Sequence, residues 1–192
     1  MKKVAIFASG SGTNAENIIR YFKNHSEIAI TLVLSNKPGA KVLSRAENLG
    51  VETRVFSRDE FYNTLNIPEL LHQKGIDFIV LAGFLWLIPV SLIIAYKGKI
   101  INIHPALLPK YGGKGMFGMK VHEAVVANNE KESGITIHHV NEEYDKGSVI
   151  LQKKCRIEPE DTPEVVAEKV HQLEYEHFPR VIEKLLAEQQ TQ

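Results

Sequence analysis

Apolar and polar positions follow two rhythms along this chain. Residues 4–8 form a short unbroken apolar run ended by glycines, the mark of a buried strand. Residues 13–24 instead carry Ala15, Ile18, Ile19 and Phe22 at helical spacing. The exchange then repeats. Strands are expected at 28–34, 51–56, 78–82 and 100–103. Helices are expected at 40–49, stopped by Gly50, at 59–74 with a break near Pro68, and at 89–96. A glycine-rich stretch precedes a helix at 120–128. Residues 135–140 and 149–157 alternate like an antiparallel pair around NEEYDKG. A long helix at 161–189 starts at Thr162-Pro163, with a bend expected at Pro179.

Strands alternating with helices predict an α/β fold: a doubly wound, mostly parallel, Rossmann-like sheet, closed by the antiparallel pair and the terminal helix. The near-continuous apolar strands fit a sheet covered on both faces. No linker, repeat or low-complexity tract divides residues 1–192, so one domain is expected. In such sheets ligands bind beyond the carboxyl ends of the strands, where strand order reverses. The segments at those ends are SGSGTN, SNKPG, SRDE, GFLWL and NIHPALLP.

Composition narrows the picture. Hydrophobic residues make up 44% and charged residues 24%, a globular balance. Basic and acidic residues number 23 each, so no overall field draws in nucleic acid. The single cysteine, Cys155, cannot pair internally and reads as a small strand residue; no Cys/His cluster suggests a metal. Residues 78–94 lack charge for seventeen positions, but Gly83 and Pro89 divide them, so a strand, a turn and a helix are expected there, not a membrane span. The start is too briefly apolar for a signal peptide, and a cytoplasmic location is expected.

Two motifs carry chemistry. SGSGTNA contains G-x-G-x-x-A, but the second strand ends in Leu34-Ser35-Asn36-Lys37, without the carboxylate a dinucleotide ribose needs. A phosphate monoester held by Gly12, Thr13 and Asn14 is the better reading; the alternative is a tight turn capped by Thr13 or Ser11. Asn102 and His104, two apart at a strand end, point to one side. An amide that can donate to a carbonyl oxygen and an imidazole that can exchange a proton suit attack at a carbonyl carbon. Asp145, in the loop between the antiparallel strands, could orient His104 and favour its charged form; a turn residue is the alternative.

VAIFASGSGTNAENII, VLAGFLWLIP, INIHPALLPKY and DKGSVILQ together resemble the folate-dependent formyltransferases over essentially the whole chain. The SGSGTN start narrows the likeness to the phosphoribosylglycinamide formyltransferase branch. That resemblance implies transfer of a formyl group from 10-formyltetrahydrofolate to the amine of phosphoribosylglycinamide, without metal, in purine synthesis by a monomer or homodimer. It implies that residues 1–100 hold the nucleotide and that 101–192 carry catalysis and folate. It casts Asn102, His104 and Asp145 as the catalytic set, with Asn102 on the formyl oxygen and His104 as proton donor. Gly12, Thr13 and Asn14 fit its phosphate and ribose site, and Glu174 the glycinamide end. Arg58 fits the folate tail, Leu85, Trp86, Leu87 and Ile88 the pterin pocket, and Asn141 through Asp145 its rim. GGKGMFGMKVHEAV departs from many relatives, leaving contacts from Lys114, Gly112 and Gly113 open; its glycines suggest a lid. Related enzymes that release formate or formylate methionyl-tRNA normally carry an additional domain, which this length does not favour. A non-catalytic nucleotide-binding module would leave Asn102, His104 and Asp145 without a role.

Overall fold

The computed structural model describes residues 1–188, so residue 189 of the expected last helix lies outside the described residues. In chain order the elements are β1 (Lys2–Phe7), α1 (Thr13–Phe22), β2 (Ile28–Ser35), α2 (Lys41–Asn48), β3 (Glu52–Val55), α3 (Arg58–Tyr62) and α4 (Asn66–Gln73). There follow β4 (Phe78–Leu81), α5 (Val90–Ala95), β5 (Ile100–His104), α6 (Met119–Ala127), β6 (Glu132–His139), β7 (Val149–Arg156) and α7 (Pro163–Glu188).

Among the described residues the strands form one sheet in the order β3-β2-β1-β4-β5-β6-β7. Pairing is parallel from β3 through β5 and antiparallel from β5 to β7. Val4, Ala5, Ile6 and Phe7 of β1 are wholly buried, because helices cover both faces. On one face Val4 and Ile6 pack with Ile18 of α1, Val42 of α2, Val121 of α6 and Ile182 of α7. On the other, Ala5 and Phe7 pack with Phe61 of α3, Leu71 of α4 and Leu92 of α5. Each such aliphatic side chain taken out of water contributes about 1.5–3 kcal/mol. The central strands read as continuous apolar runs for this reason.

One expectation is corrected. The helix expected at 59–74 is two helices separated at residues 63–65, and its break is not at Pro68. Pro68 falls in the first turn of α4, where the missing N–H has no intrahelical partner to lose. The start of α3 is set by a capping box: Ser57 Oγ accepts from Glu60 N, and the Glu60 carboxylate accepts from Ser57 N. Helix α7 contains Pro179 in its interior. No helix among the described residues is long and apolar enough to cross a membrane.

Strand order reverses between β1 and β4, and the loops after them diverge to open a cleft of about 640 Å³.

Candidate active site

Strand β5 delivers the chemistry to that cleft. Ile101 and Ile103 point into the core beside α6 and α7, while Ile100 faces the other cluster. Asn102 and His104 continue the row of Ile100 past the last apolar residue, into the cleft lining. Antiparallel β6 sets His138 opposite Asn102. The loop after β6 then folds back over the sheet and brings Asp145 onto them. Gly147 makes that fold-back feasible: a Cβ there would lie 1.6 Å from the His139 carbonyl oxygen.

Asp145 is the hub. Its Oδ1 accepts from Asn102 Nδ2 at 3.3 Å and lies 3.6 Å from His138 Nε2. Its Oδ2 accepts from Gly113 N at 2.9 Å and lies 3.5 Å from His104 Nδ1. Burial pushes this carboxyl's pKa up, but His138, His104 and the Gly113 N–H outweigh it, leaving the group below its ordinary value. The carboxylate in turn fixes the amide: only the nitrogen end of Asn102 can face it. The same nitrogen lies 3.1 Å from His138 Nε2, and His138 Nδ1 donates to the His139 carbonyl at 2.8 Å.

His104 is 4% exposed. Its Nε2 lies 2.7 Å from the Tyr111 carbonyl oxygen, so that nitrogen carries a hydrogen and donates. Burial pushes the imidazole pKa down; Asp145 and the Tyr111 carbonyl pull it back only in part. A neutral ring therefore turns its Nδ1 lone pair toward an anion, an arrangement relieved when Nδ1 takes up a proton.

Across the cleft, α1 begins at Gly12 with φ 75 and no side-chain cap, so neither Thr13 nor Ser11 caps the turn. The first-turn N–H groups are free of a side-chain acceptor, the arrangement that suits an anion. Lys37 and Lys114 line the same cleft. Gly12 has no room for a side chain: a Cβ would meet the Val42 backbone Cα at 2.6 Å. Gly12→Ala is expected to cost about 2–4 kcal/mol, from the left-handed backbone and the overpacking together. Denaturant unfolding measures that loss, and a variant as stable as the parent would remove the constraint. On α7, Glu174 is 3% exposed, and its Oε2 accepts from Asn14 Nδ2 at 2.8 Å and bonds His171 Nδ1 at 2.7 Å. That bond raises the His171 pKa, whereas burial lowers that of neighbouring His122 to about 4.

A formyl transferase family model matches residues 2–182. The chain belongs to the formyl transferase family. It is 38% identical over 187 residues to the chloroplastic phosphoribosylglycinamide formyltransferase of Arabidopsis thaliana, covering 94% of this chain and 64% of that protein. It is 39% identical over 191 residues to the Bacillus subtilis phosphoribosylglycinamide formyltransferase, covering 97% and 95%. The crystal structure of the Bacillus halodurans phosphoribosylglycinamide formyltransferase superposes with a TM-score of 0.86 at 39% identity, covering 96% and 95%.

Within this formyl transferase, the cleft gathers Gly12, Thr13, Asn14, Leu85, Asn102, His104, Asp145 and Glu174, together with Gly113 and Lys114 of the glycine-rich loop. Gly112 is not in that lining; it packs against Leu108. Tyr144 of the expected rim lines the cleft too, whereas the other residues expected at folate lie outside the lining. Ile88 is 3% exposed in the core. Trp86 packs against Phe56, Phe61 and Tyr62, and the Leu87 carbonyl accepts from Tyr62 OH at 2.9 Å. Arg58 stacks over Tyr62 and Trp86, 4.9 and 5.5 Å from the ring centres. Asn141 Oδ1 accepts from Glu143 N and holds its own turn. His122, His138 and His171 are cleft or hub residues that the sequence reading missed. Only the repeated histidines of ITIHH hinted at one of them. Among the described residues no cluster of His, Cys, Asp and Glu has the arrangement to hold a metal ion.

Proposed function

We propose that this chain transfers the formyl group of 10-formyltetrahydrofolate to the primary amine of 5′-phosphoribosylglycinamide, leaving tetrahydrofolate, in purine biosynthesis. One observation carries the reading. An amide, an imidazole and a carboxylate converge at the end of β5, in the same cleft as the uncapped start of α1. Enzymes named for this substrate share the fold and about two-fifths of the residues.

The chemistry follows from the bonds. The nucleotide phosphate takes the first-turn N–H groups at Gly12, Thr13 and Asn14, with Lys37 and Lys114 nearby. Glu174 holds the glycinamide end. The amine lone pair adds to the formyl carbon, and the carbonyl oxygen gains negative charge. Asn102 turns toward that oxygen the hydrogen it shares with Asp145 at 3.3 Å, the longer of its two bonds. His104 Nδ1 and Asp145 exchange the proton that leaves the amine and reaches N10 of the folate. The oxyanion then collapses as the carbon–N10 bond breaks. Leu85 borders the pterin, backed by Trp86, Leu87 and Ile88, with Asn141 on the rim. Arg58, held over two aromatic rings, serves the folate's carboxylate tail.

The test mixes the protein with 10-formyltetrahydrofolate and the nucleotide, following folate absorbance and the mass of the nucleotide. Formylated nucleotide is expected to appear in step with the absorbance change. Formyl loss at the same rate without nucleotide would mean hydrolysis, and would overturn the reading.

A further inference from the structure

The proposed chemistry assigns no role to the group that holds the outer nitrogen of His104. That group is a backbone carbonyl, and its residue is in an uncommon state. Tyr111 has φ 57, a left-handed conformation that costs a bulky residue about 1–2 kcal/mol. Asp145, the group beside the other nitrogen, has φ 56. Both neighbours of one imidazole are thus held in backbone states that persist only where the surroundings impose them.

For Tyr111 the surroundings are visible. Its hydroxyl donates to Glu130 Oε1 at 2.9 Å, and the same oxygen accepts from Lys110 Nζ at 2.8 Å. Glu130 sits in the turn between α6 and β6, tied by its N–H to the Val125 carbonyl. Tyr111 thus links this turn to the imidazole, its hydroxyl at Glu130 and its backbone carbonyl on His104 Nε2 at 2.7 Å. Two residues on, Gly113 N donates to Asp145 Oδ2. One short segment therefore grips both members of the His104–Asp145 pair, and its far end is anchored at Glu130.

We propose that Tyr111 and Glu130 are positioning residues: their tether keeps the Tyr111 carbonyl on His104 Nε2 and so leaves Nδ1 as the nitrogen that exchanges the proton. This deepens the function proposed above and rests on it. A neutral imidazole has one hydrogen, and a carbonyl fixed at Nε2 selects the ring form that keeps it there. Without the tether, the left-handed peptide can relax and the hydrogen can move to Nδ1, toward the Asp145 carboxylate. The nitrogen facing the reaction would then be occupied.

The experiment uses the full chain with Tyr111→Phe, Glu130→Ala and their combination. Glu130→Gln serves as the conservative control, because its amide oxygen can still accept from the phenol. Imidazole nitrogen NMR reads the ring form of His104 directly, without substrate. The parent is expected to hold its hydrogen on Nε2, whereas Tyr111→Phe and Glu130→Ala are expected to show a mixture. Each is expected to lower kcat about tenfold, the low end for loss of a supporting partner, with both KM values within about twofold. The double variant should lose no more than either single one, because both break one bond. Glu130→Gln should recover most of the rate.

The charged state of His104 supplies a further readout. The groups acting on it are Asp145, the Tyr111 carbonyl, His138 from β6, Glu174 and His122. Loosening the carbonyl removes a contribution that favours the charged ring, so the His104 titration should move to lower pH in the variants. Parent-like nitrogen spectra and parent-like kcat in both single variants would overturn the tether. So would losses that simply add in the double variant. A parent with no formyl transfer but with the expected spectral change would overturn the function and leave the tether standing.

Discussion

His104→Ala is expected to lower kcat for formyl transfer by about 10²–10⁴-fold, the range for removing a positioned acid–base group. The imidazole is the cleft group whose Nδ1 faces Asp145 while its other nitrogen is committed to Tyr111. The Asp145 carboxylate keeps Asn102 and Gly113 after the substitution, so the remaining site should hold its shape. Nucleotide affinity should stay near the parent value, because the uncapped start of α1 is made by a different loop. Single-turnover rates and equilibrium nucleotide binding measure the two separately. Transfer at the parent rate would remove His104 from the chemistry.

Asp145→Asn is expected to be of similar severity, about 10²–10³-fold in kcat, and to change the pH dependence as well. The neutral amide cannot accept at both ends. One end must turn a hydrogen toward either Asn102 Nδ2 or Gly113 N, each of which needs an acceptor. The sign of the pH effect follows from the two rings. Asp145 helps to keep the His104 proton on, so its loss moves the His104 titration to lower pH. The step that needs charged His104 should then fade at a lower pH than in the parent. Stability carries its own signature. The Asp145 pKa is depressed in the folded chain, so its contribution is present above the ordinary aspartate range and disappears as pH falls through the depressed value. The variant lacks that contribution and should show a shallower loss of stability on the acid side. Parent-like kcat–pH curves would refute the coupling.

Much of the fold was legible in the hydrophobic pattern, because burial on both faces leaves continuous apolar strands between amphipathic helices. The break at residues 63–65 was not, since Pro68 is the louder signal and yet is harmless in a first turn. Asn102 and His104 could be paired in advance because a strand repeats every two residues. His138 could not, because its place opposite Asn102 depends on β6 returning antiparallel beside β5, a register set by tertiary packing. The Tyr111 contribution is a backbone oxygen, and no side-chain pattern encodes which peptide will face an imidazole. The turn that opens α1 was readable from its glycines, while the crowding of Gly12 against Val42 needed coordinates. Arg58 and Trp86 entered through family resemblance alone. Their stacking on one another is a finding about geometry that no spacing foretold.

The contact between Gly147 and the His139 carbonyl has a consequence for how this chain can diverge. Lys146 faces solvent and pairs with Glu143, so the middle position of Asp-Lys-Gly is open to drift. The third position is closed to every other amino acid unless the segment lifts off the sheet and takes Asp145 with it. Descendants of this chain can rewrite the surface of that loop freely, yet they inherit the bare backbone beneath it as a condition of keeping their reactivity.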